Sequence, residues 1–357
     1  TDTLVAVGEN VNQRQINDGL ESIAQLLSIK NPRDGMRAYV KSYHEGLNKG
    51  GGTFIYDSSK ANVNDGSVII NGWVRQLEDH VTPSMFGAKG DGVTDDTVAI
   101  QKAFDTGNNV FFPKSSGAYI ISSYITGRSN MKVTIDGDII RKGRMVDGDS
   151  FFPSGFDFYN CDNVLITGNG RLSDDLLLSK YTDDNFLIMK WNTGYTPFIH
   201  VRSCRNVIVE KIKLYKVSFG IVVSRNDKAY YTSWDLVGTD IYPTNCIVRN
   251  VSVKYSVYLG ITLNSATQSS IENCYVHRSG DGGLHVQFCK QCKIVNNLRT
   301  SPYGDGSANQ DILTNDAQGI SVEASVDTLV DGNPVIGFSC TGIDIKYSRI
   351  NTTVSNN

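Results

Sequence analysis

Val248-Arg249-Asn250-Val251-Ser252-Val253 leads into Gly260-Ile261-Thr262-Leu263, and both elements return: Ile271-Glu272-Asn273-Cys274-Tyr275-Val276 leads into Gly283-Leu284-His285-Val286. The glycine quartet also occurs as Gly220-Ile221-Val222-Val223, Gly319-Ile320-Ser321-Val322 and Gly342-Ile343-Asp344-Ile345, with successive glycines 40, 23, 36 and 23 residues apart. Ile294-Val295-Asn296 and Val330-Asp331-Gly332 repeat the first element ahead of the last two glycines. A period in the twenties with short strands and turns marks a solenoid. Two or more strands per 23-residue coil leave no room for a helix, so the pattern predicts an all-β chain built as a parallel β-helix. Ile261, Leu284, Ile320 and Ile343 are expected in one interior column.

The composition agrees. Of 357 residues, 40% are hydrophobic and 34 are Gly, against 8 Pro, which suits strands joined by tight turns. A net charge of −3 argues against nucleic acid as the main partner, and no apolar run reaches membrane-span length. The opening TDTLVAVGEN carries no secretion signal. Seven Cys suit free, buried thiols better than a disulfide scaffold. Cys289 and Cys292 form a CxxC without a second pair, whereas a zinc site needs about four ligands, so neither metal nor cofactor is expected. Asn250, Asn273 and Asn296 share a column in which amides could bond along the axis.

Residues 1–80 read as a small mixed α/β module. Asp18 and Glu21 suggest a capping box, with Ile16, Leu20, Ile23 and Leu27 at helical spacing. That stripe could form core or pack against copies of itself. Residues 35–43 alternate as a strand, and Gly50-Gly51-Gly52 reads as a turn into Thr53–Tyr56. Phe86–Phe104 (FGAKGDGVTDDTVAIQKAF) places glycine turns before a short helix with Ile100, Ala103 and Phe104 on one face. Its spacing is neither a P-loop nor a dinucleotide fingerprint. Residues 81–110 are therefore read as a capping segment with its helix, and 111–357 as the solenoid.

Phe86–Phe104 resembles the opening of the pectate-lyase-like right-handed β-helix superfamily. Asp34–Tyr43, Asn48–Phe54 and Gly72–Leu77 resemble the N-terminal module of bacteriophage tailspikes. The resemblance implies a right-handed helix, a homotrimer, attachment to other virion tail proteins through the N-terminus, and a bacterial surface polysaccharide as partner. The protein would then reside in the virion and act at the host cell surface. Neither the paired-Asp nor the Gly-His-Gly signature of polygalacturonases is present, so no catalytic residue carries over by motif.

The repeat itself suggests a site. Counting from each glycine, the second and fourth following positions should face outward: Val222, Thr262, His285, Ser321 and Asp344, then Ser224, Asn264, Gln287, Glu323 and Lys346. Stacked about 4.8 Å apart, they would form a polar strip suited to sugar hydroxyls. The two long spacings place insertions at about 225–245, with Tyr231, Trp234 and Asp235, and at about 300–318, with Tyr303, Asp305, Asp311 and Asp316. Loops on a rigid scaffold are where function concentrates.

Glycoside hydrolysis normally uses two carboxyl groups about 5–9.5 Å apart. Asp281 and Asp316 precede glycines of adjacent coils, so they are the expected pair, with Glu323 as the competing member. His285, Gln287, Asn264, Trp234, Asp235, Tyr231, Asp311 and Tyr303 are expected to bind substrate. For a lyase, His285, Asp281 or His277 could supply the base, and Arg278 or Lys254 the cation that neutralises a uronate carboxylate. The leading expectation is a phage tailspike depolymerase acting as an endo-glycosidase on capsular or other surface polysaccharide. A polysaccharide lyase and a non-catalytic receptor-binding spike are the alternatives.

Overall fold

A computed structural model describes residues 6–8, 11–12, 18–146, 149–151, 155–180, 196–225, 242–280, 282–300, 318–337, 341–347 and 351–357. The chain divides into two compact units, Thr1–Tyr119 and Ile120–Asn357.

In the first unit, Arg37–Ser42, Gly50–Tyr56, Trp73–Arg75 and Ile69–Ile70 form a four-stranded antiparallel sheet. The helix Ile23–Leu27 supplies its core contacts. Leu20, Ile23 and Leu26 pack with Val40, Phe54 and Trp73, while Leu27 is 42% exposed. Leu20 and Ile23 of the apolar stripe are therefore spent inside the module, whereas Leu27 is exposed and Ile16 lies outside the described residues. The cap also differs from the expected one: Ser22 Oγ accepts from Gln25 N at 3.4 Å, and Gln25 Oε1 accepts from Glu21 N at 2.8 Å. Gly50-Gly51-Gly52 is the first half of a strand rather than a turn. Close backbone explains the glycines, because a Cβ on Gly50 would strike Ser84 O and one on Gly51 would strike Val40 O. The Arg75 guanidinium bonds the carbonyls of Gly50 and Gly51 and lies 4.4 Å over the Phe54 ring.

The glycine-rich segment is structural, as its spacing implied. Asp96 accepts from the amides of Lys89 and Gly90, Asp91 from those of Val93 and Thr94, and Asp95 from that of Thr97. These bonds fold the turn that starts the helix Thr97–Asp105, whose Ile100, Ala103 and Phe104 are buried.

The second unit is a parallel solenoid of three sheets. Sheet I stacks Ile125–Thr126, Phe156–Tyr159, Pro197–Arg202, Phe219–Ser224, Ile261–Asn264, Leu284–Gln287, Ile320–Glu323 and Ile343–Lys346. Within this unit sheet II runs from Lys132–Ile135 to Thr353–Ser355; sheet III runs from Tyr119–Ile121 to Val335–Ile336. The expected column is present: Ile221, Ile261, Leu284, Ile320 and Ile343 are in register. Three further coils precede it, since Ile125 pairs with Phe156, Phe156 with Ile199 and Ile199 with Ile221. Gly155-Phe156-Asp157-Phe158 is thus a sixth quartet, and Phe198 replaces the glycine in the coil between.

Three local devices hold the coils. First, a Cβ on Gly220, Gly260 or Gly319 would overlap the carbonyl oxygen of the next coil's glycine, so the quartet glycine permits close stacking. Gly220→Ala is expected to cost about 1–3 kcal/mol, the range for overpacking, read by urea unfolding. Second, the corners are single left-handed residues. Asn250, Asn273, Asn296, Gly332 and Asn356 all have φ between 51° and 64°. Their amides make no axial ladder with one another among the described residues. That ladder lies at another left-handed corner, where Asn163, Asn206 and Asn245 each donate to the preceding member of the column at 2.9–3.1 Å. Third, the residue after each corner turns its N–H inward, where the following coil satisfies it. Cys161 N donates to Cys204 Sγ, Cys246 N to Ser269 Oγ, Cys274 N to Asn297 Oδ1, and Cys289 N to Ser325 Oγ. The six described cysteines are free, buried members of these columns. Burial pushes the Cys246 and Cys274 thiols up to about 12, which keeps them neutral.

Candidate functional site

The predicted strip exists in register. Thr262, His285, Ser321 and Asp344 are aligned, as are Asn264, Gln287, Glu323 and Lys346. It differs from the expected solvated face in being covered: Thr262, Asn264 and Ser321 are fully buried, and His285 is 5% exposed. Buried polar groups must find partners, and these form a one-way chain. Asn264 Nδ2 donates to Gln287 Oε1 at 3.0 Å, and Gln287 Nε2 donates to Glu323 Oε2 at 3.0 Å. Ser321 Oγ donates to Glu323 Oε1 at 3.1 Å, and His285 Nε2 lies 3.6 Å from that oxygen. Thr262 Oγ1, at the centre of the strip, has no hydrogen-bond partner.

This surrounding fixes the charge of Glu323. The His285 side chain, opposed by partial burial and helped by Ser321 and Lys346, holds its carboxyl down at about 2, from a usual value near 4.5. Such a group serves as base, nucleophile or electrostatic stabiliser; it is too acidic to carry a proton to a leaving group. The depressed pKa also has a consequence for folding. Glu323 contributes stability that is complete above about pH 4.5 and disappears as pH falls towards 2. The unfolding free-energy gap between wild type and Glu323→Gln should accordingly narrow between pH 6 and pH 3.

The strip extends further than the five quartets indicated. Asp157 and His200 continue the Val222 column, and Arg202 aligns with Ser224. Arg202 pairs with Asp157 at 2.5 Å, while His200 Nε2 lies 2.8 Å from Ser224 Oγ. Burial, helped by Arg202, pushes the His200 imidazole down to about 3, so it is neutral. Beyond Glu323, Asp344 Oδ2 accepts from Lys346 Nζ and Gln318 Nε2, both at 2.9 Å. Two charged ends thus flank a centre of hydroxyl and amide groups.

Asp281 and Asp316, the expected pair, lie outside the described residues, as do Tyr231, Trp234, Asp235, Tyr303 and Asp311. Near the pair, the flanking backbone is described: Gly283 N donates to Gln318 O at 3.1 Å, joining the two coils just after Asp281 and Asp316. Residues 226–241 follow the strand Phe219–Ser224, and 301–317 precede Ile320–Glu323, so both insertions adjoin sheet I. Two more long connections, at 142–155 and 175–196, enter the same sheet. They were missed because the repeat was measured only from Gly220 onward; the quartet at Gly155 was the available signal. His277, Arg278 and Lys254 do not join His285, because they lie on sheet III.

Known proteins share these features. A family described as rhamnogalacturonase A/epimerase, pectate lyase-like, matches residues 84–301, and the phage tail protein small four-stranded beta-sheet domain matches residues 19–78. The preneck appendage protein of Bacillus phage PZA is 29% identical over 261 residues, covering 66% of this chain and 29% of that protein. The chain therefore spans under a third of that relative's length. Full-length tailspike protein 2 of an Escherichia coli O157:H7 bacteriophage superposes with a TM-score of 0.63 at 17% identity, over 92% of this chain and 42% of that one. The A-module of a mannuronan C-5 epimerase from Azotobacter vinelandii gives 0.52 at 16% identity, over 77% and 76% of the two chains. At such identities the two structures speak for the fold.

Proposed function

Because the chain belongs to the rhamnogalacturonase A/epimerase, pectate lyase-like family, we propose that it is a phage tailspike whose solenoid binds and cleaves bacterial surface polysaccharide. Residues 1–80 would attach it to other tail proteins, 81–110 would cap the solenoid, and 111–357 would do the chemistry. Support for assembly as a homotrimer comes from the tailspike-like module, since Leu20 and Ile23 of its helical stripe are buried within the module.

The observation that carries the reading is the in-register run Asn264, Gln287, Glu323 beside Thr262, His285, Ser321. The strip's partly exposed members, Gln287, Glu323, Asp344 and Lys346, offer a sugar donors and acceptors beside a carboxylate that stays ionised, over a buried floor of Thr262, Asn264, His285 and Ser321. An endo-glycosidase pairs such a group with a protonated carboxyl, the role assigned to Asp281 or Asp316. The lyase alternative loses support, because the cations expected to neutralise a uronate near His285 lie on another sheet. The test is incubation with capsular polysaccharide. New reducing ends support the hydrolase, unsaturated uronate absorbance would favour the lyase, and binding without product would leave a receptor-binding spike.

A further inference from the structure

Sheet III carries a second cluster. Tyr215, Lys254, His277 and Thr300 form one outward column, and Lys213, Ser252, Tyr275 and Leu298 the neighbouring one. The rings lock together across three coils. Tyr255 meets Tyr215 edge-on at 5.7 Å and His277 at 5.4 Å, and Tyr275 stacks with His277 at 6.1 Å. Thr300 Oγ1 lies 2.8 Å from His277 Nδ1 and 3.2 Å from the Tyr275 hydroxyl, which fixes both rings.

Cations lie against this row. Lys254 Nζ is 5.7 Å from the centre of the Tyr275 ring, and the Arg278 guanidinium is 5.7 Å from that of Tyr255. Lys213 and Lys254 are exposed and Tyr275 and His277 are half-buried, so part of each ring remains accessible, while the half-buried Tyr215 packs with Leu176 against Leu177 and Tyr255. From Arg171 to Thr300, the two columns contain no carboxylate among the described residues. Asp138, one coil earlier, is already paired with Arg171 at 3.1 Å.

The geometry points to a second glycan-binding surface on sheet III, selective for an acidic, uronate-bearing stretch of polysaccharide. It deepens the function proposed above and takes its ligand class from that reading. Fixed rings repeated at strand spacing suit a polymer of flat-faced sugar rings, and exposed lysines between them suit carboxylates. Contacts in the homotrimer proposed above are heterologous, so a second copy as occupant is separated from a glycan by the Lys254→Glu variant below.

Titration calorimetry on Glu323→Gln protein tests this with three probes: a galacturonate hexamer, a maltohexaose and a single-stranded DNA oligomer of matching charge. The galacturonate hexamer should bind tightest and weaken as salt rises, because exposed charges are screened. Lys254→Ala, with an unchanged melting midpoint, and Tyr275→Ala, with a lowered one, should each reduce its affinity about threefold to tenfold. Undiminished affinity in both variants overturns the inference, as does equal binding of maltohexaose or tighter binding of DNA. Lys254→Glu that abolishes self-association while sparing galacturonate binding would also overturn it, by assigning the surface to another copy. Absent polysaccharide cleavage by the wild-type protein, with intact, Lys254-dependent binding, would sink the catalytic reading and leave this surface standing.

Discussion

Asp174→Ala is expected to destabilise the solenoid by about 3–5 kcal/mol, the range for breaking a buried ion pair from one side. Asp174 and Arg141 are fully buried, with Nε–Oδ1 and Nη2–Oδ2 distances of 2.7 and 2.8 Å. Burial pushes the Asp174 carboxyl up against the pull of Arg141. The backbone completes the arrangement, as Arg141 Nη1 donates to Pro197 O at 3.0 Å and Ser218 N donates to Asp174 Oδ2 at 2.6 Å. Removing the carboxylate strands a guanidinium among apolar side chains, including the Phe198 ring 4.6 Å away. Urea unfolding measures the loss. The double variant Arg141→Met/Asp174→Leu should recover most of it, because no buried charge then remains unpaired. A single variant as stable as wild type would show that Arg141 finds another way to be solvated. The pair also joins the strand ends at which the connections 142–155 and 175–196 leave the ladder, so the loss should extend to those connections.

Glu323→Gln is expected to lower turnover on the cleaved polysaccharide by about a hundredfold or more, the scale of lost acid–base or nucleophilic catalysis. The amide keeps the shape and can still accept from Gln287, so melting near neutral pH should change far less than turnover. Asp281→Asn and Asp316→Asn form the other arm. If Glu323 is the ionised member, one of these two should produce a comparable fall and also move the basic limb of the pH–rate profile. Full activity in Glu323→Gln, with losses in both Asp variants, would return the pair to Asp281 and Asp316 and leave Glu323 as an organiser of the strip.

The solenoid was legible because its cause is periodic. A carbonyl above Gly220, Gly260 and Gly319 excludes a side chain, so glycine recurs where coils stack closely, and the spacing reads out directly. The coil at Pro197–Arg202 was not legible, because Phe198 there breaks the pattern. The strip's register was readable from Ile261, Leu284 and Ile320, but its burial was not. Alternation separates inward from outward, and a covered outward face has the same alternation as a wet one. Asn250 and Asn273 were assigned to a column correctly. Their role was misjudged, since asparagine suits both a ladder and a left-handed turn and only φ distinguishes them. Capping residues were missed by a few positions because Asp18 and Ser22 both suit a helix start.

The inward N–H bonds all point the same way: the acceptor always belongs to the later coil, from Cys204 Sγ for Cys161 to Asn357 Oδ1 for Asn333. Synthesis runs in that direction too, and chains begin folding from their N-terminal part. Each finished coil therefore presents donors that the next segment to emerge is equipped to accept. Growth is templated and vectorial, like a zipper whose teeth close only forwards. Loss of a coil from the later end exposes one waiting donor per column and leaves the earlier coils matched, the nearest-neighbour behaviour of a one-dimensional assembly.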